Sequence, residues 1–178
     1  MADFKHIIPF ILDAEGGYAN NPADKGGETM KGITYSVWVS VFGESHGRFM
    51  DMSQEDWGQI FKNNYWDAML GNKINSQRVA DLIVDWVWGS GKHFPEKDVQ
   101  EVLNHSFGTH LATDGVFGQA TIDAINTVDD KELYYDLVQR HIQYVNSIVA
   151  NNPTQEVFLK GWCNRMDSLT KFENNGNN

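Results

Sequence analysis

With 178 residues, 41% of them apolar and 21% charged, the chain is long enough for one compact core and too apolar for a disordered or fibrous class. A net charge of -10, with Lys and Arg scattered as at Lys25, Lys31, Lys92, Lys97, Arg140 and Arg165, argues against nucleic acid and against anionic lipid as partners. Cys163 is the single cysteine, which excludes an internal disulfide and a cysteine zinc cluster. Phe4, Ile7, Ile8, Ile11 and Leu12 recur at helical spacing ahead of Gly16-Gly17. That spacing predicts a helix of about three turns ending at Glu15, with Pro9 placed to kink it. Residues 18–32 are polar and rich in Gly, Asn, Asp and Pro, the composition of a loop with at most a short hairpin.

Helical spacing returns over 34–42, closed by Gly43, and over 53–70, where Trp57, Ile60, Phe61, Tyr65 and Met69 share a face before Gly71. Ser53 and Asp56 have the look of a capping box. Further helices are predicted over 76–88, on Val79, Leu82, Ile83 and Trp86, and over 95–107, on Val99, Val102 and Leu103, with Pro95 suited to a first turn. Thr113-Asp114-Gly115 reads as a turn before a short helix over 119–126. A long helix opens at Asp130 and carries Leu133, Leu137, Val138, His141, Val145 and Ile148; a last one, capped by Thr154, carries Val157, Phe158, Trp162, Met166 and Leu169, with a frayed tail from Asn174. The fold class is therefore mainly α, with an irregular loop or short hairpin after the first helix. No repeat or Pro- and Ser-rich linker interrupts it, so a boundary near residue 72 would be a packed junction.

The stretch Glu15-Gly16-Gly17-Tyr18-Ala19-Asn20-Asn21-Pro22-Ala23-Asp24-Lys25-Gly26-Gly27-Glu28-Thr29-Met30-Lys31-Gly32-Ile33-Thr34 resembles the signature of the Glu-Gly-Gly-Tyr N-acetylmuramidases, glycoside hydrolase family 108. Further on, Val99-Gln100, Leu103 and Asp114-Gly115-Val116-Phe117-Gly118-Gln119-Ala120-Thr121 resemble the peptidoglycan-binding region that follows in that family. The resemblance implies a lysozyme-like helical fold, with a catalytic region at 1–71 and a helical peptidoglycan-binding region at 72–178. The chain departs from the family pattern at Asp85-Trp86-Val87-Trp88-Gly89-Ser90-Gly91, where an Asn is expected, and in a longer stretch over 104–112.

Chemistry points to Glu15 independently. Glycosidic cleavage needs a carboxylic acid that stays protonated near neutral pH, and a glutamate at a helix C-terminus with an apolar lining has its pKa raised. A partner carboxylate across the scissile bond is the second requirement. Asp24, nine positions on, is the first candidate and Glu28 the alternative; by resemblance to phage-type lysozymes, Thr29 falls near a water-positioning hydroxyl. Tyr18 and Trp66 are candidate sugar contacts, Tyr65 being set with the core aromatics, and Glu28 and Thr34 join them, although Thr34 also suits a helix cap. Gly16, Gly17, Gly26, Gly27 and Gly32 are expected to permit positive φ and shape the cleft floor.

Neither a metal nor a cofactor is expected: His6, His46, His93, His105, His110 and His141 form no short helical ligand pair, and Asp114-Gly115 lacks the other ligands of a calcium loop. The resemblance implies hydrolysis of the β-1,4 bond between N-acetylmuramic acid and N-acetylglucosamine, by a monomer whose partner is the peptidoglycan glycan strand. Two rivals stand beside it: a silent peptidoglycan-binding or secretion-accessory protein, and a lytic transglycosylase. No apolar run approaches the roughly 20 residues that span a bilayer, and residues 1–6 have no export-signal pattern. The protein is thus expected to be made in the cytoplasm and to reach the wall through a holin, a secretion system or lysis, as an endolysin or a secretion-assisting muramidase.

Overall fold

The computed structural model describes residues 1–20, 27–91 and 93–175. It divides into two compact units, Phe4–Ala68 and the combination of Met1–Asp3 with Met69–Asn178. The architecture is mainly α, as expected, with one small sheet after the first helix.

In the unit Phe4–Ala68, α1 covers Ile8–Ala14. Pro9 lies in its first turn, where a missing N–H breaks no helical bond, so it starts the helix instead of kinking it. Strands β1 (Tyr18–Ala19), β2 (Thr29–Met30) and β3 (Ile33–Thr34) follow as an antiparallel sheet in chain order, with Tyr18 opposite Met30 and Thr29 opposite Thr34. The reversal from β2 to β3 uses two residues, Lys31 at φ 49° and Gly32 at φ 78°, the left-handed pair of a hairpin turn. A lysine resists that conformation by roughly 1–2 kcal/mol. It is held there by Trp57, whose indole N–H donates to the Lys31 carbonyl at 2.9 Å, and by its own ammonium group, which donates to the Met52 carbonyl at 3.0 Å.

Helices α2 (Tyr35–Phe42), α3 (His46–Met50) and α4 (Gln54–Phe61) complete this unit. Helix α3 is barely more than one turn and leaves no periodic apolar pattern by which to predict it. Ser53 caps α4 by accepting from the Asp56 N–H at 3.0 Å, while the Asp56 carboxylate turns to the Arg48 guanidinium. The helix predicted over 53–70 is broken: α4 passes into a π turn over Lys62–Trp66, closed by the Asp67 N–H on the Lys62 carbonyl at 2.8 Å.

The second unit gathers the long helices α5 (Gln77–Ser90), α6 (His93–Phe107), α7 (Gln119–Thr127), α8 (Asp130–Asn151) and α9 (Glu156–Asn175). Helix α8 packs against α5, α6, α7 and α9 and is capped by Asp129, which accepts from the N–H groups of Lys131 and Glu132. Thr154 is not the cap before α9. It lies inside a 3-10 turn, Pro153–Gln155, that leads into α9 and is capped by Asn152, whose Oδ1 accepts from the Thr154 N–H at 3.3 Å and hydroxyl at 2.7 Å. Asn174 remains helical.

Helix α5 is buried over 79–87, on every face and not only the predicted one. Two aspartates one turn apart are therefore buried with it. Asp85 accepts from the Arg165 guanidinium of α9 at 2.7 Å. Asp81 is pushed up to about 7 by burial and shares hydrogen bonds with Gln77 and Glu173. The predicted turn at Asp114-Gly115 is present, with Gly115 at φ 71°. Gln100, almost fully buried on α6, organises it by accepting from the Gly115 N–H at 2.9 Å and donating to Asp114 Oδ1 and the Val116 carbonyl, each at 3.0 Å. Asn104, one turn along, holds the longer stretch in the same way, through Thr109 and Leu111.

Candidate active site

Glu15 is the residue on which α1 stops. Its backbone leaves the helix at φ -87° and ψ 140°, and its N–H still donates to the Ile11 carbonyl at 3.1 Å. Two residues on, the Gly17 carbonyl accepts from the Lys31 N–H at 3.3 Å. The end of α1 is thus fastened to the tight turn of the sheet, and a half-buried carboxyl sits just before the fastening.

Tyr65 is the aromatic residue electrostatically coupled to Glu15. Burial pushes its phenol above the ordinary value, and the charge of Glu15 raises it further. Its ring ends a ladder in which Trp57 stacks on Phe61 at 5.0 Å and Phe61 on Tyr65 at 6.0 Å. The π turn that carries it is a departure from regular helix of a kind concentrated at functional sites.

The sheet supplies a second cluster. The Tyr18 hydroxyl donates to Glu28 Oε1 at 2.6 Å, and His46 Nε2 meets the same oxygen at 2.8 Å. The Glu28 backbone is fixed as well, since its carbonyl accepts from the Tyr35 N–H at the start of α2 at 2.8 Å. Hydrogen bonds from Tyr18 and then His46 hold the Glu28 carboxyl below the usual carboxylate range. The same bond to an anion raises the Tyr18 phenol. Packed edge-on against the imidazole at 5.3 Å is the Tyr35 ring, which helps fix His46 at the start of α3.

Tyr18→Phe deletes the hydrogen bond that contributes most to lowering Glu28. The Glu28 carboxyl is then expected to titrate at higher pH, so its negative charge is lost earlier as pH falls. Carboxyl-carbon NMR of the variant against the wild type checks this, and an unmoved Glu28 resonance would contradict the assignment.

Thr29 lies in β2, its hydroxyl donating to the Ala19 carbonyl at 3.4 Å. Thr34 caps α2, accepting from the Val37 N–H at 3.2 Å and bonded to the Ser36 hydroxyl at 2.9 Å. Trp66 is corrected: its ring is 0% exposed and lies against Phe4, so it is a core residue with no face for a sugar. Asp24 and Gly26 lie outside the described residues. Positive φ is found at Gly27 and Gly32 but not at Gly16 or Gly17, where an added Cβ would meet open space. That corrects the conformational reason given for the first pair, and leaves uncovered backbone beside Glu15.

His46 is the residue that the sequence did not single out. Its partner is 18 positions away on another element, and no local pattern connects them. In the sequence Tyr65 reads as a ring able to stack on sugar that its place in an apolar stripe sets with the core.

Residues 8–91 match the family described as glycosyl hydrolase 108, and residues 95–167 match one described as "Predicted Peptidoglycan domain". Among solved structures the chain is similar to that of Brucella abortus SagA, at 24% identity and a TM-score of 0.74, over 93% of this chain and 90% of that one. No curated protein matches the chain.

Proposed function

From a chain whose residues 8–91 belong to the glycosyl hydrolase 108 family and are followed by a peptidoglycan domain, we propose a muramidase whose acid is Glu15. The protein is a peptidoglycan hydrolase, a glycoside hydrolase of the N-acetylmuramidase type. The observation that supports the residue assignment is the half-buried Glu15 at the stop of α1, fastened by Gly17 to the Lys31 turn of the sheet whose β2 follows directly on Glu28.

In the proposed step the Glu15 carboxylic acid gives its proton to the oxygen of the β-1,4 bond as that oxygen leaves muramic acid C1. Water adds to C1 and loses a proton to a second carboxylate. Glu28 suits that second role because Tyr18 and His46 keep it ionised, and a carboxylate must be ionised to accept a proton. Asp24 remains its competitor on sequence grounds, and Thr29 is read as positioning the water. Catalysis is assigned to 1–71 and wall binding to 72–178, in a monomer.

Among the described residues no helix is long and apolar enough to cross a membrane. Delivery to the wall is read as the work of separate machinery, either a holin for an endolysin, a secretion system, or lysis. The rival readings separate by products: mass spectrometry of digested peptidoglycan gives reducing muramic-acid ends for a muramidase, anhydro ends for a transglycosylase, and no fragments for a silent binding protein.

The uncovered backbone after Glu15 gives a further expectation. Gly17→Ala should leave the melting temperature unchanged or slightly higher, since the added Cβ meets nothing and glycine costs unfolded-chain entropy. If glycan lies over this backbone, kcat/KM on solubilised strands should fall about tenfold, the cost of one displaced contact of about 1.4 kcal/mol. Unchanged kcat/KM would place the glycan elsewhere.

A further inference from the structure

The helices α6 and α8 enclose a groove that the catalytic reading does not use. Its main basin, of about 690 Å³, is lined by Glu101, Asn104 and His105 from α6 and by Asp136, Gln139 and Gln143 from α8, among others. A smaller basin of about 350 Å³ shares Ser106 and Asp136 with it and adds Phe107 and Tyr135. The two therefore adjoin. On α8, Asp136, Gln139 and Gln143 stand at spacings of three and four, which puts them in a row along one helical face. From Tyr135 to Gln143 that row runs about 12 Å at the helical rise, room for more than one sugar ring.

The lining selects its ligand by chemistry. Arg140, which lines the main basin together with His105, is held by Asp98 at 2.7 Å and by Glu101. The smaller basin adds Lys131 beside Glu132 and Asp136, so acidic groups outnumber the cations along the groove and make it a poor match for phosphate or another polyanion. What it offers is planar hydrogen-bonding groups, the amides of Gln139 and Gln143 and the carboxylate of Asp136, beside an aromatic face. Tyr135 is 63% exposed, one of the few large apolar residues so placed among those described. Paired hydroxyls and an acetamido group match the planar polar side chains, and the C–H face of a pyranose matches the uncovered ring.

We propose that this groove is where the second unit holds peptidoglycan, and that it grips the glycan strand and not the stem peptide, with Tyr135 as the stacking platform and Gln139 and Gln143 as the hydrogen-bonding row. The proposal rests on the muramidase reading for the choice of polymer, but its test does not require catalysis.

Co-sedimentation with purified sacculi is measured in a Glu15→Gln background, so that the polymer stays intact. Tyr135→Ala is expected to weaken binding about tenfold, the loss of one stacked ring, and Gln139→Ala with Gln143→Ala to weaken it comparably. Sacculi stripped of stem peptides by an amidase should bind the parent protein as well as untreated ones do, and N-acetylglucosamine oligomers should shift the side-chain amide resonances of Gln139 and Gln143. Undiminished binding by both folded variants would overturn the site, and loss of binding on stripping would overturn the glycan assignment. Failure of the catalytic reading would show separately, as intact polymer after incubation with the wild type.

Discussion

Replacing Glu15 with Gln should cut the release of reducing muramic-acid ends on the order of a thousandfold, within the range expected when a general acid is removed. The substitution keeps the size of the side chain and removes only the ability to give up a proton. Gln keeps the backbone N–H that donates to the Ile11 carbonyl at the end of α1, so the helix stop should survive and thermal unfolding should match the wild type. Glu15→Asp is the stricter comparison: it keeps the acid but withdraws it by one methylene, and a misplacement of that order is enough to cost roughly a hundredfold. Turnover within a fewfold of wild type for Glu15→Gln, with the protein folded, would remove Glu15 from the acid role. Glu28→Gln and Asp24→Asn in the same assay assign the second carboxylate, since only the group that receives the water proton should reduce turnover when made an amide.

Much of this site could be read from the chain because its signals are local. Glu15 precedes two glycines at the end of an apolar stripe, and both the helix and its stop follow from that spacing. Thr34 could be read as a cap for the same reason. Trp66 could not be placed: a regular helix over 53–70 leaves the Trp66 ring available, whereas the π turn at Lys62–Trp66 inserts an extra residue and alters which side chains share a face. Burial of α5 on all sides was also hidden, because periodicity reports one apolar face and cannot show that polar positions between are enclosed too. His46 was illegible for a third reason, that its meaning lies in a contact with Glu28, 18 positions away ahead of β2.

Asp85 is where hidden burial has its largest energetic consequence. The family pattern led to an expectation of Asn in this stretch, and the departure reads differently once Arg165 is in view. Asp85 is 1% exposed and Arg165 25%, and the guanidinium reaches both carboxylate oxygens, Nη2 at 2.7 Å from Oδ1 and Nε at 3.2 and 3.3 Å from Oδ1 and Oδ2. A charge on α5 is thereby matched to one on α9.

Removing one partner of such a pair strands the other, so Arg165→Met is expected to destabilise the fold by about 3 kcal/mol or more in urea unfolding. Removing both should cost far less, because well-packed apolar replacements of a buried pair are often neutral. Asp85→Leu with Arg165→Met should therefore recover most of the loss, and a double variant as unstable as the single one would show that the guanidinium acts by packing and not by charge. A second readout follows from His141, which burial first and the Arg165 charge second lower to about 4. Its pKa should rise in both variants that lack the guanidinium, whether or not stability is restored, which separates the loss of the charge from the loss of the fold.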